Sequence, residues 1–190
     1  MLVLRAAERK DAAELAVLVD IASHGFATWL WYGAVMRGDK DTAMEQGRSR
    51  MRNDHEPGTW KDATVAEWAG EIAGVSIGYD LDERVRDMVA PHLVIKPLLD
   101  LQVTVIGSRF IDSLGVYRHH RRKGIGRALL AREIEKAKGR QVSLITESHN
   151  ETAQALYFAS GFVEKARLPA VPLFEDSKRH DWVLLARDMT

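Results

Sequence analysis

A glycine-containing turn between a predicted strand and a predicted helix constrains this chain more than any other segment. Apolar residues predict a strand over 110–116, and a helical spacing of apolar residues predicts a helix over 124–138. Gly124 and Gly126 stand at the start of that helix and allow a bulky group to approach the main chain closely. Successive backbone N–H groups and the helix dipole are favourable to negative charge at such a turn. The segment is therefore suited to bind an anion such as a pyrophosphate.

Positive charge is concentrated around the same turn. Six cationic residues and no acidic residue lie within 113–132, although the formal net charge of the whole chain is zero. They are Arg118, Arg121, Arg122, Lys123, Arg127 and Arg132. Charge alone favours a solvated basic loop, and an anionic small ligand is the alternative.

The remaining pattern predicts an α/β domain with a mixed sheet. Strands are predicted over 3–5, 64–68, 72–79, 110–116, 142–146, 162–167 and 182–187, and helices over 11–22, 39–52, 124–138 and 150–160. Gly70 and Glu71 form a tight connection between the second and third strands. Because Pro91 and Pro97 interrupt the segment 80–102, it is predicted to be irregular.

Two common phosphate-binding motifs do not fit the turn. A Walker loop needs Gly-Lys followed by Ser or Thr, which the chain lacks here, and a dinucleotide fingerprint needs Gly or Ala where Leu129 stands. A third pattern, R/Q-x-x-G-x-G/A, fits Arg121, Gly124 and Gly126. It resembles the acetyl-CoA pyrophosphate loop of the GNAT N-acetyltransferase superfamily.

A second segment strengthens this resemblance. The residues from Asn150 to Phe162 read NETAQALYFASGF, which is similar to the N-x-x-A-x-x-L-Y-x-x-x-G-F element of the same superfamily. The two motifs occur in the expected order on the expected elements. Arg118 and His120 depart from the family pattern, which often has proline and tyrosine at these two positions. These differences are expected to change how the loop packs.

The resemblance implies a single GNAT acetyltransferase domain over 1–190. Its fold would be a mixed, mostly antiparallel twisted sheet of about six or seven strands flanked by helices, with central strands splayed for acetyl-CoA. Strand 114–116 would pair with the pantetheine arm, and the backbone of 121–126 would hold the pyrophosphate. The implied cofactor-binding residues are Leu114, Gly115, Val116, Arg121, Arg122, Lys123, Gly124, Ile125, Gly126, Arg127, Asn150, Ala153 and Tyr157.

The resemblance also implies catalytic roles. Tyr157 is the expected general acid that protonates the departing thiolate; a core aromatic residue is the alternative. Asp112 and Glu147 are rival general bases, and either can instead be an ordinary surface charge. Asn150 binds the pantetheine or caps its own helix, and Ala153 gives the cofactor room.

The expected function is direct transfer of acetyl from acetyl-CoA to an amine of a small molecule or peptide. The alternative is a catalytically weak acyl-CoA-binding sensor module. Neutral overall charge disfavours a nucleic-acid partner, and the sequence has no apolar run of the ~20 residues that a membrane helix needs. The chain has no cysteine, and its adjacent histidines give no metal-binding spacing, so no metal is expected.

Two further expectations concern the surroundings of the protein. The polar N-terminus does not resemble a signal peptide, so a cytoplasmic location is expected, and the family resemblance favours a homodimer. The aromatic residues Phe26, Trp29, Trp31 and Tyr32 line an acceptor pocket, form a dimer contact or belong to the core.

Overall fold

Seven strands form the sheet, and a computed structural model describes them within residues 1–188. They are β1 Leu2–Ala6, β2 Ala63–Trp68, β3 Glu71–Asp80, β4 Arg109–Val116, β5 Val142–Glu147, β6 Val163–Pro169 and β7 Asp181–Arg187. Their order is β1-β2-β3-β4-β5-β7-β6, with one parallel pair, β4–β5, among mostly antiparallel ones. The predicted α/β fold with a mixed, mostly antiparallel sheet is confirmed.

Six α-helices accompany the strands in the described residues. They are α1 Ala12–Ala22, α2 Phe26–Met36, α3 Ala43–Met51, α4 Lys96–Val103, α5 Ile125–Lys136 and α6 Glu151–Ala159. The chain divides into two compact units. The first unit comprises Met1–Tyr79 and Asp112–Glu133, and the second comprises Asp80–Ile111 and Ile134–Thr190.

The first unit contains a hairpin whose turn follows from its sequence. β2 and β3 pair antiparallel, and the two residues between them, Ala69 and Gly70, have φ values of 54° and 89°. A two-residue turn with both φ values positive matches the natural twist of the strands. The predicted tight connection is therefore present, one residue earlier in the chain than predicted.

Helices cover one face of this hairpin. Leu15 and Leu18 of α1 share a buried cluster with Val65, Val75 and Ile77 of the strands. The spacing of three residues between the two leucines places them on one face of the helix. Burying such side chains contributes about 1.5–3 kcal/mol each before chain entropy is counted. This packing fixes α1 beside β2 and β3.

The other face of the hairpin carries α5. Ile125 and Leu129 lie one helical turn apart and are fully buried against Ala66 and Ala73 of the strands. The small alanine side chains allow the helix to lie close to the sheet. Because Ile125 is the first residue of α5, this contact fixes where the helix begins, directly after Gly124.

Two helical segments were not predicted from the sequence pattern. Residues 26–36 form α2, whose buried residues Ala27, Trp31 and Ala34 have helical spacing, but aromatic residues on the other faces obscure that periodicity. The predicted irregular structure over 80–102 is wrong in part, because α4 begins there. Pro97 lies in the first turn of α4, where the missing N–H costs nothing.

The second unit contains the C-terminal strands. Arg109–Ile111 pairs parallel with Val142–Leu144, and β7 pairs antiparallel with both β5 and β6. α4 packs against β6 and β7. No helix within residues 1–188 is long and apolar enough to span a membrane.

Candidate active site

The backbone that leads from β4 into α5 is held at several points. The N–H of Tyr117 donates to the carbonyl oxygen of Ala73 at 2.9 Å, and Arg118–His120 then forms one 3-10 turn. The guanidinium of Arg121 donates through Nε to the carbonyl oxygen of Val116 at 3.2 Å. These bonds fix the direction of the chain immediately before the glycine-containing turn.

The turn itself presents unused backbone donors. Within the described part of the chain, the N–H groups of residues 122–127 donate no hydrogen bond to another protein group, and the first bond of α5 joins Ala128 N–H to Gly124 O at 3.0 Å. Arg122 and Gly124 have φ values of 64° and 79°, so the chain alternates in and out of the left-handed region. Such alternation converges successive N–H groups on one point and forms an anion-binding nest. This geometry is suited to an anion such as a diphosphate, and the diphosphate role of the turn stays a prediction.

The cationic side chains near the turn differ in their surroundings. Lys123 lies over the ring of Trp68, with its Nζ 5.4 Å from the ring centroid and 3.3 Å from Nδ1 of His120. Burial and the charges of His119 and Lys123 lower the pKa of His120. Arg122 and Arg127 are exposed. The turn is thus surrounded by positive charge, as the sequence predicted.

The glycines have separate structural roles. A Cβ added at Gly124 would meet no atom within 4 Å, so the exposed side of this residue is open. A Cβ at Gly115 would lie 2.5 Å from the carbonyl oxygen of Leu18 in α1. Gly115 is therefore required for the close approach of α1 to β4, whereas Gly124 leaves room for an external group.

Asp112 lies on β4 with two hydroxyl neighbours. Oγ of Ser113 donates to it at 3.0 Å, and the Tyr79 hydroxyl donates to it at 3.4 Å. Asp112 is exposed, but protein atoms near its carboxylate desolvate it in part, and this desolvation raises its pKa. Burial and the negative charge of Asp112 also raise the pKa of Tyr79. Asp112 therefore binds a proton more readily than an ordinary aspartate.

In the second unit, the end of β5 leads into α6 through a well-bonded turn. Oδ1 of Asn150 accepts from the N–H of Ala153 at 3.3 Å, so Asn150 is the N-cap of α6. The amide of Gln154 donates to the carbonyl oxygens of Glu147 and Ser148 at 3.1 and 2.9 Å. Of the two roles considered for Asn150, the structure shows the cap.

Glu147 ends β5 and is almost buried, with 9% of its surface exposed. Its Oε2 lies 3.9 Å from Nε2 of His149, an ion pair only when that histidine is protonated. The ring of His149 packs against the ring of His180 at 5.1 Å between centroids. Glu147 is therefore not an ordinary surface charge.

Tyr157 occupies the inner face of α6. The residue is 7% exposed, and its ring lies 5.9 Å from that of Phe162. Its hydroxyl forms no hydrogen bond with any residue in 1–188. Burial raises the pKa of Tyr157 to about 12. The phenol is consequently protonated at neutral pH and has a donor available for an external acceptor.

The aromatic residues of α2 divide between the core and the surface. Trp31 is buried and lies directly over Gly47 of α3, where any larger residue would meet the indole ring. Phe26 and Trp29 stack in parallel with their centroids 6.5 Å apart, whereas Tyr32 is 52% exposed. Core packing accounts for Trp31.

Sequence reasoning did not identify the neighbours of the two carboxylates. Tyr79 is 33 residues from Asp112 and becomes its partner only through folding, whereas Ser113 is its neighbour in the sequence. His180 lies in the segment 168–181, for which the sequence predicted no element. In the described residues, no group of three or more His, Asp or Glu side chains is arranged to hold a metal ion.

The chain is similar to known acetyltransferases both in sequence and in fold. The sequence model of the Acetyltransferase (GNAT) family matches residues 28–162. A search of curated proteins gives no significant match. Among solved structures, an N-acetyltransferase from Staphylococcus aureus Mu50 is 18% identical, with 97% of this chain and 99% of that chain covered and a TM-score of 0.65.

Two further solved structures share the fold. The ribosomal-protein-S18-alanine N-acetyltransferase from Escherichia coli is 18% identical, with 100% of this chain and 95% of that chain covered and a TM-score of 0.63. The structure of yncA from Salmonella typhimurium with its cofactor acetyl-CoA is 17% identical, with 100% and 95% covered and a TM-score of 0.61. At these identities the likeness concerns the fold.

Proposed function

Because the chain belongs to the GNAT acetyltransferase family, whose model matches residues 28–162 and whose members use acetyl-CoA, we propose that it transfers acetyl directly to an amine of a small molecule or peptide. The observation that carries this proposal is the run of free N–H groups over 122–127 at the start of α5. A helix N-terminus with a converging set of donors is suited to a diphosphate.

The residues of the turn and of β4 have separate parts in cofactor binding. The amides of 122–126 hold the diphosphate, whereas the predicted contribution of the Arg121 amide is not available because its N–H donates to the carbonyl oxygen of Arg118. The nearby Arg122 and Arg127 add charge-assisted contacts. Backbone groups of Leu114, Gly115 and Val116 pair with the pantetheine amides as an added strand would. Ala153, which is half-buried in α6, gives the cofactor room. When bound, acetyl-CoA supplies the acetyl group as a thioester.

Tyr157 is the proposed general acid. Its hydroxyl has no bonding partner among residues 1–188, and its pKa of about 12 keeps the proton in place at neutral pH. A hydrogen bond from this phenol to the departing sulfur stabilises the charge that develops as the C–S bond breaks. The phenol gives its proton to the thiolate and later regains one from solvent.

A carboxylate is the proposed general base, because an acceptor ammonium must lose a proton before its nitrogen attacks. Asp112 is favoured, since partial desolvation raises its pKa and makes it a better proton acceptor than an ordinary aspartate. Glu147 is the alternative, because it is almost buried at the end of β5. Either group can act through a water molecule.

The identity of the amine acceptor is also part of this proposal. The Escherichia coli neighbour is described as acting on an alanine of ribosomal protein S18, and a further neighbour is described as a phosphinothricin N-acetyltransferase. Peptide N-termini and small amino acids are therefore sensible members of a first acceptor panel. A cytoplasmic homodimer completes the proposal, and sedimentation velocity tests its oligomeric state.

The test measures thiol release from acetyl-CoA over a panel of primary amines and N-terminal peptides, with the Tyr157→Phe variant beside the wild type. We expect amine-dependent turnover, with kcat reduced by about 100-fold or more in the variant and the affinity for acetyl-CoA little changed. Phe fills the same space, so the variant removes only the hydroxyl.

Two results would contradict this proposal. Binding of acetyl-CoA without turnover of any amine would favour the alternative function, an acyl-CoA sensor. Full activity of Tyr157→Phe would exclude the phenol as the acid while leaving the transferase activity intact.

A further inference from the structure

A groove in the first unit lies apart from the cofactor turn. Its volume is about 600 Å³, within the ~300–1,000 Å³ that small-molecule sites occupy. α3 and the segments on either side of it form the groove, and Arg9 adds to its lining. The lining residues are Arg9, Lys40, Glu45, Arg48, Ser49, Arg52, Asn53, Asp54 and His55. None of them belongs to the turn over 118–127.

Two of the four cations in this groove have acidic partners. Nζ of Lys40 lies 3.8 Å from Glu45, and Nε of Arg9 lies 3.9 Å from Asp54. Nε of Arg9 also donates to the carbonyl oxygen of Arg52 at 3.3 Å. These two pairs neutralise both acidic residues of the groove.

The other two cations, Arg48 and Arg52, are not neutralised. They are four residues apart at the end of α3, both are exposed, and neither has an ion pair with any residue in 1–188. Like charges at this spacing lie on one face of a helix and repel each other. The negative end of the α3 dipole offsets part of this repulsion. An anion between the two guanidinium groups would offset the rest.

Neutral donors complete the lining. Oδ1 of Asn53 accepts from the N–H groups of His55 and Glu56 at 2.7 and 3.1 Å, which fixes the orientation of the amide. Its NH₂ group then remains as a donor without a partner among the described residues. Ser49, between the two arginines in sequence, is exposed and adds a hydroxyl.

We propose that this groove binds a compact polyanion, a small molecule with two or more phosphate or carboxylate groups. The planar guanidinium groups of Arg48 and Arg52 match such groups with paired hydrogen bonds. The excess of two positive charges in the lining selects a multiply charged ligand over a singly charged one. The site is additional to acetyl-CoA binding and does not depend on the transferase reaction.

The experiment measures calorimetric binding of pyrophosphate and, in a second arm, of citrate to the full-length protein. Saturating coenzyme A is present so that the cofactor turn is occupied. We expect saturable binding of at least one of the two anions, weakened by about tenfold or more in the double variant Arg48→Gln/Arg52→Gln. The arms distinguish a phosphate ligand from a carboxylate ligand.

A matched control carries Arg84→Gln and Arg86→Gln, which remove the same charge from two exposed arginines paired with Asp82 and Glu83 in the second unit. Binding should be unchanged in this control. The proposal is overturned if neither anion binds saturably, if Arg48→Gln/Arg52→Gln binds as the wild type does, or if both double variants lose binding equally.

Discussion

At the scale of single residues, Asp112 connects function with stability. Its raised pKa means that the folded protein holds the proton more tightly than the unfolded chain does. Stability therefore falls as the pH rises through the unfolded pKa of ~3.9 towards the raised value, and it stays lower at neutral pH. Because Asn does not ionise, we expect Asp112→Asn to melt at a higher temperature than the wild type at pH 7.

The comparison of thermal unfolding at pH 7 and pH 4 tests this expectation, because the difference between the two proteins should shrink at the lower pH. The hydroxyls of Ser113 and Tyr79, which donate to Asp112, can rotate to accept from the new amide. A variant that is less stable than the wild type at pH 7 would show that ionised Asp112 is stabilising.

Single residues also show how far the sequence can predict a site. The motif placed Tyr157 on a helix, but its buried ring, and a hydroxyl without a partner among residues 1–188, are properties of the packed structure. The pattern left two roles open for Asn150, and the bond from Ala153 shows the cap. Local spacing predicts caps and turns, whereas the bond from Tyr79 to Asp112 and the packing of His180 on His149 depend on contacts between distant segments.

At the scale of elements, the turn before α5 is the part most open to a direct test. Gly124 has φ of 79°, a conformation that Asn and Asp tolerate better than other residues with a side chain. Gly124→Asn and Gly124→Asp have nearly the same shape, but only Asp adds a negative charge beside a diphosphate. We expect Gly124→Asp to bind coenzyme A at least about tenfold more weakly than Gly124→Asn, as measured by calorimetry.

The Asn variant reports the effect of the side chain itself, and circular dichroism checks that both variants fold. Equal affinity of the two variants would mean that the negative charge at this position does not meet the phosphates. In that case the open side of Gly124 would face another part of the cofactor or none of it.

Elements were predicted well where the periodicity was clean. The strand over 110–116 and the helix over 124–138 correspond to β4 and α5 within one or two residues at each end. The pattern does not predict α2 because its aromatic residues cover several faces. It does not predict α4 because a proline that interrupts regular structure elsewhere is compatible with the first turn of a helix. In both helices, the effect of the aromatic residues or of the proline on helix formation depends on where each residue lies within the helix.

At the scale of the whole molecule, the net charge is zero, but positive charge is concentrated in the turn before α5 and in the groove beside α3. The sequence predicted the cationic turn, because its residues are adjacent in the chain. It did not predict the groove beside α3, because Arg9 and the residues of 40–55 meet only after folding. The fold and the cofactor follow from motifs, whereas the acceptor depends on surfaces formed by distant segments.

Cofactor binding should stabilise the whole protein, because a ligand that binds only the folded state raises the free energy of unfolding. At a concentration of 100 times Kd the gain is about 2.7 kcal/mol. A chain of this size gains about 2–4 °C in Tm for each kcal/mol, so coenzyme A should raise Tm by about 5–10 °C in a thermal-shift measurement. Pantetheine has the same arm without the diphosphate and should give no shift at the same concentration, since the amides of 122–127 would have no anion to bind. An equal shift with pantetheine would place the binding energy in the arm and remove the turn from its proposed role.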